Sequence, residues 1–202
     1  DVHDTCFSAE VDTDDYQAVA IGPGLGQSRI TEKALLDQLV ITTTPMVIDA
    51  DALNLLSANK NYLNKLPKGS ILTPHPKELE RLVGKCNTSY ERLQRACELS
   101  TKANVYIVLK GAYTAIIQPS GEVCFNTTGN PGMATGGSGD VLTGILLALL
   151  AQGYDADSAA KIGVYIHGLA GDEAAHQMGQ IAMTASDIIS YLPQAWKTIF
   201  GK

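Results

Sequence analysis

Residues 127–152 read TTGNPGMATGGSGDVLTGILLALLAQ, a glycine-rich string running directly into the most apolar stretch of the chain. Five glycines fall within the fourteen residues 127–140. Glycine tolerates positive φ and lets a backbone approach a ligand closely. A helix start supplies N–H groups without intrahelical partners and a partial positive charge. A glycine loop feeding a helix start is therefore an anion hole suited to phosphate, or else a flexible loop with an ordinary cap. Two familiar phosphate motifs are absent. Gly132 and Gly137 have P-loop spacing, but Ser138 stands where its Lys belongs, and Gly22-x-Gly24 lacks the third glycine of the dinucleotide fingerprint. The helix after the loop, over 139–152, is apolar almost all round and is expected to be buried on most sides.

Upstream, short apolar runs alternate with helical patterns. Strands are expected at 18–21, 46–50, 70–73 and 105–109, each bounded by Gly, Pro or polar residues. Between them lie a helix capped by Ser28 with Ala34, Leu35, Leu39 and Val40 inward, a short helix at 51–57, one with Pro76 in its first turn and Gly84 at its end, and one over 88–103. A hairpin is expected around Pro119-Ser120-Gly121, and helices over 157–178 and 186–200, the last interrupted at Pro193. Alternation of this kind predicts a three-layer α/β sandwich with a mostly parallel sheet, in one domain spanning the 202 residues.

Composition narrows the function. The chain is 45 % apolar with mean hydropathy +0.03, which excludes a disordered class. The longest apolar run, 145–151, is seven residues, short of the roughly 18 of a membrane span. A net charge of −6 and a pI near 5.1 argue against nucleic acid or an anionic membrane as the main partner. Cys6, Cys86, Cys97 and Cys124 lack C-x-x-C spacing, so neither a zinc knuckle nor a redox dithiol is indicated.

Several residues can carry chemistry. Asp140, beside the anion hole, can take a proton from a substrate hydroxyl or simply complement the helix dipole. In Thr73-Pro74-His75-Pro76-Lys77-Glu78, His75 and Glu78 can share a cavity or form a capped turn. Lys110-Gly111 ends a strand at the same edge, where open α/β sheets bind ligands. Asp49, Asp51 and Asn54 can line the cleft or cap a helix, and His167 and His176 are expected to be packing or surface residues.

Taken together, Gly22-Pro23-Gly24-Leu25-Gly26, Asp49-Ala50-Asp51-Ala52-Leu53-Asn54, the His75 segment, Lys110-Gly111 and the string Asn130–Asp140 resemble, in this order, the ADP-dependent NAD(P)H-hydrate dehydratases of the ribokinase-like fold. The resemblance implies a repair lyase that converts hydrated NADH or NADPH back to the active cofactor, turning ADP into AMP and phosphate. It implies substrate contacts at Gly24, His75 and Asp140, with Asp140 as base. Nucleotide contacts are implied at Lys110, Gly111, Ala112, Tyr113 and Thr114, and at the cradle Gly136, Gly137, Ser138 and Gly139. Mg²⁺ is implied with a water-mediated role for Glu78. The same resemblance places further strands before the Gly22 loop, so an N-terminally incomplete domain with an exposed sheet edge is expected, as are a cytoplasmic location and a homo-oligomer, up to a tetramer. The alternatives are a ribokinase-like kinase phosphorylating an alcohol and a non-catalytic nucleotide-binding module.

Overall fold

A computed structural model describes residues 6–201. Its centre is a six-stranded sheet in sequential order: β1 (Val19–Ile21), β2 (Met46–Ile48), β3 (Ile71–Leu72), β4 (Tyr106–Leu109), β5 (Ala115–Ile117) and β6 (Val123–Phe125). β1 to β4 are parallel, with Ala20 opposite Val47, Val47 opposite Ile71 and Ile71 opposite Tyr106. β5 and β6 continue antiparallel through the hairpin anticipated at Pro119.

Sequential parallel strands joined by right-handed crossovers place all their connecting helices on one face. That face carries α1 (Arg29–Ile41), α2 (Ala50–Ala58), a 3₁₀ turn over Lys60–Lys65, α3 (Pro76–Val83) and α4 (Ser89–Ala103). The other face is covered by α5 (Ser138–Ala151) and α6 (Ala156–Met178), with α7 (Ala185–Phe200) packed on them. Alternation along each strand divides the side chains. Ile48, Leu72, Ile107 and Ile117 join Leu35, Leu39, Leu53, Leu56 and Leu79 on one side, while Val47, Ile71, Val108 and Ile116 meet Leu142, Leu146, Ala159 and Val164 on the other. β2 is buried on both faces, as a central parallel strand requires, whereas β1 is only half-buried.

Local signals place the helix ends. Ser28 Oγ accepts from Thr31 N at 3.1 Å, and Pro76 opens α3. α5 exposes only small residues in its body, Gly144 and Ala148, while Leu142, Leu146, Leu149 and Leu150 are buried. Two expectations fail. Val40 is 61 % exposed, because the apolar stripe of α1 is satisfied by Ala34, Leu35 and Leu39. α7 runs unbroken through Pro193, which lies on its exposed side; the carbonyl deprived of a partner four residues earlier belongs to exposed Ile189, where water can satisfy it. Among the described residues no helix is long and apolar enough to cross a membrane.

Candidate active site

Because β1 to β4 run parallel, their C-terminal ends open on one edge. The Gly22 loop, Asp49, the His75 segment and Lys110 meet there, and the N-terminus of α5 comes down over them. The hub is Asp49, only 1 % exposed. Its Oδ1 pairs with Lys110 Nζ at 2.7 Å, and its Oδ2 accepts from Thr143 Oγ1 on α5 at 2.9 Å. A side chain on Gly139 would put its Cβ 3.4 Å from Lys110 Nζ, so the ammonium lies directly beneath the first turn of α5. Glu78 Oε2 stands 4.0 Å from the same nitrogen.

The turn that delivers Asp49 is tightly built. A Cβ on Gly22 would fall 1.8 Å from the Asp49 carbonyl oxygen, so only glycine fits. Ala50, the next residue, sits at φ +50, a left-handed conformation costing roughly 1–2 kcal/mol for a residue with a Cβ. This twist separates two carboxylates. Asp49 points inward to Lys110, and Asp51 points outward, accepting from Gly26 N at 2.9 Å and Gln27 Nε2 at 2.6 Å to hold the loop that carries exposed Gly24. Asn54 accepts from Arg81 at 2.7 Å and does not reach the cleft cluster.

His75 is the N-cap of α3. Its Nδ1 accepts from Lys77 N and Glu78 N at 3.1 and 3.3 Å, which leaves the ring proton on Nε2, 3.3 Å from Glu78 Oε1. Glu78 closes the capping box by accepting from His75 N at 2.8 Å. The capped-turn reading is therefore met, and it leaves the half-exposed imidazole fixed at the rim. Both Glu78 oxygens are engaged by His75, one by its backbone N–H and one beside its ring Nε2. Among the described residues no group of three or more His, Cys, Asp or Glu gathers to hold a metal ion. The donor set thus fits a magnesium ion carried by phosphates and touched by one or two carboxylates, not a protein cage.

The glycine-rich segment ends in the arrangement its sequence suggested. Gly137, at φ +87, is the N-cap of α5 and offers no side-chain cap. Among the described residues nothing accepts from the amides of Gly136, Gly137, Gly139 or Asp140, while Ser138 N donates to Thr135 O at 3.4 Å. Asp140 is exposed, and its carboxylate has no hydrogen bond or ion pair among these residues. Gly111 and Thr114 bond to each other in an exposed turn, with Ala112 exposed and Tyr113 71 % exposed beside them.

Sequence reasoning missed what anchors this segment. Gly129 N donates to Asp172 Oδ2 at 2.8 Å, Asn130 Nδ2 donates to Asp172 Oδ1 and Gly171 O at 2.9 Å each, and Thr128 Oγ1 donates to Tyr165 O at 3.0 Å. A Cβ on Gly168 would meet Thr128 Oγ1 at 2.2 Å and its carbonyl carbon at 2.7 Å. His167 Nε2 donates to Ser138 O at 3.0 Å, and burial pushes this imidazole down to about 4. The available signal was glycine inside a long helix, which costs about 1 kcal/mol relative to Ala and implies a close neighbour. A groove of about 820 Å³ between the Lys60–Lys65 turn, α3 and α4 contains none of the site residues.

These features place the chain first among ribokinase-like α/β proteins. It superposes on an Arabidopsis thaliana ribokinase with TM-score 0.60 at 14 % identity, covering 94 % of this chain and 61 % of that one, a likeness of fold alone. It matches a Bacillus subtilis ADP/ATP-dependent NAD(P)H-hydrate dehydratase, co-crystallised with ATP and Mg²⁺, with TM-score 0.81 at 33 % identity, covering 94 % of this chain and 67 % of that one. Residues 2–194 match the family model described as NAD(P)H-hydrate dehydratase. The chain is 44 % identical over 193 residues to the bifunctional NAD(P)H-hydrate repair enzyme of Moorella thermoacetica, covering 95 % of this chain and 36 % of the relative. It is 35 % identical to the ADP-dependent (S)-NAD(P)H-hydrate dehydratase of Bacillus subtilis, covering 90 % and 64 %. The chain belongs to the NAD(P)H-hydrate dehydratase family. It spans about a third of the length of the bifunctional relatives.

Proposed function

We propose that the protein binds ADP with its phosphates on the amide cradle of α5 and uses it to dehydrate the hydrated form of NADH or NADPH. The observation that carries this reading is the set of amides at Gly136, Gly137 and Gly139 that have no partner among the described residues, with the Lys110 ammonium against the Gly139 end of the set. A helix N-terminus and a lysine at one point form an anion site of the strength a diphosphate requires.

In the first step, Asp140 takes the proton of the substrate hydroxyl as that oxygen forms a bond to the terminal phosphorus of ADP. The phosphorus–oxygen bond to AMP breaks and AMP departs. In the second step, the carbon–oxygen bond to the new phosphate breaks, the neighbouring ring carbon gives up its proton to the departing phosphate, and the electron pair of that carbon–hydrogen bond restores the nicotinamide double bond. The exposed Asp140, without a side-chain partner among the described residues, has the freedom a general base needs before substrate arrives. His75 and Gly24, at the rim, contact the hydrated cofactor, and the Lys110–Thr114 turn contacts the nucleotide. Magnesium would neutralise phosphate charge when bound, with Asp140 or, through water, Glu78 at its edge. A cytoplasmic, homo-oligomeric enzyme goes with this reading.

The test is to incubate hydrated NADH with the protein, ADP and Mg²⁺ and follow the reduced-nicotinamide absorbance. Recovery of absorbance with release of AMP and phosphate is expected. No recovery with ADP unconsumed contradicts the proposal, and a stable phosphorylated alcohol would mark a kinase instead.

A further inference from the structure

The Asp49–Lys110 pair poses an electrostatic problem. An anion site gains from positive charge, yet the Lys110 ammonium beneath the cradle is paired with a buried carboxylate and has a second one, Glu78, at 4.0 Å. Simple Coulomb reasoning says that Asp49 weakens phosphate binding. Nor is the pair explained by stability, since a buried ion pair roughly breaks even against apolar packing.

Geometry supplies the missing reason. Lysine carries its charge on a flexible four-carbon stem, and ordering that stem when a ligand binds costs affinity. Here Asp49 grips Nζ at 2.7 Å and is itself immobilised. Thr143 fixes its second oxygen from α5, and the backbone behind it is set by the left-handed Ala50 and by Gly22 against the Asp49 carbonyl. One carboxylate therefore ties three elements together: the end of β2, the end of β4 and the helix whose N-terminus forms the cradle. It engages one of the three ammonium protons by a hydrogen bond, and the absence of a side chain on Gly139 leaves Nζ open toward the cradle.

We infer that Asp49 is the positioning residue of the site, holding the Lys110 ammonium beneath the first turn of α5 so that the phosphates meet a charge already in place. The inference rests on the nucleotide reading proposed above. Its signature runs against the Coulomb expectation: removing a negative charge weakens binding of an anion.

The test is calorimetric titration of the whole protein with ADP and Mg²⁺. We expect Asp49→Asn to bind about tenfold more weakly than the parent. Lys110→Met should cost about tenfold in the parent and less than about twofold in the Asp49→Asn background, because the lysine is then already misplaced. Thr143→Val, which frees one carboxylate oxygen from outside the cradle, should weaken binding about threefold and serves if Asp49→Asn does not fold. ADP binding equal to or tighter than the parent in Asp49→Asn, or in Thr143→Val where that variant stands in, overturns the inference. So does an undiminished Lys110→Met penalty in the Asp49→Asn background, the pattern of a merely structural role. A parent protein that binds no ADP overturns the nucleotide reading first and this inference with it, whereas a parent that binds alongside an unaffected Asp49→Asn overturns only the inference.

Discussion

The two stretches proposed to face the nucleotide are held very differently. The segment 127–139 is fastened to α6 by hydrogen bonds from Thr128, Gly129 and Asn130, by the donation of His167 to the Ser138 carbonyl, and by the close approach of Gly168. The turn 111–114 has the mutual bonds of Gly111 and Thr114 and, at its far end, one backbone bond from Asn126 N to Thr114 O at 2.9 Å, and it lies largely in solvent. Charge recognition depends on donors fixed in advance, and reorganising them at the moment of reaction costs catalysis. Contact with a nucleoside tolerates a loop that settles on its ligand. The structure thus concentrates its packing at the end proposed to meet the phosphates.

Substitutions that attack each side should separate the two. The largest effect falls on the proposed base: Asp140→Asn is expected to lower turnover by about 10²- to 10⁴-fold while leaving ADP affinity largely intact, as steady-state kinetics beside calorimetry would show. A parallel loss of affinity would make Asp140 a binding residue. Next comes Gly168→Ala, whose Cβ would overlap Thr128. It should cost about 1–3 kcal/mol by denaturant titration and reduce ADP binding as the cradle shifts. An unchanged midpoint would mean that the segment is not held by this approach.

Acid probes the same fastening. Burial holds His167 down near 4 against an ordinary 6.5. The folded state therefore stays unprotonated there while the unfolded chain takes up a proton, so stability falls as pH drops from about 6.5 to about 4, by no more than about 3 kcal/mol. His167→Gln keeps an N–H donor for Ser138 O but cannot titrate, and its Tm should lose that portion of the pH dependence. Identical Tm–pH curves for the two proteins would contradict the burial argument. The smallest effect belongs to the loose turn: Gly111→Ala, with nothing within 4 Å of its added Cβ, should change stability by less than about 0.5 kcal/mol. A large loss there would erase the contrast.

Much of the fold was legible because its signals are local. Ser28, Thr88 and Pro76 mark helix starts whatever the rest of the chain does, and apolar runs such as Val105–Leu109 sit in the sheet interior. The glycine string before α5 also announced a loop running into a helix start without a side-chain cap. The hub was not legible, since Asp49 meets Lys110 across 61 residues and Thr143 across 94, and a lone Asp after a strand is equally a helix cap. The partnership of Asp172 with Gly129 and Asn130, across 43 and 42 residues, was hidden for the same reason. Pro193 misled in the opposite direction: a local rule of helix breaking gave way to an exposed position where the lost bond goes to water.

The most direct measurement follows the backbone amides of Gly136, Gly137 and Gly139 by NMR during titration with ADP and Mg²⁺. Saturable shifts at these three amides, with slowed hydrogen exchange, are the predicted result. Nucleotide binding that leaves all three unmoved, with shifts confined to residues elsewhere, would contradict the account.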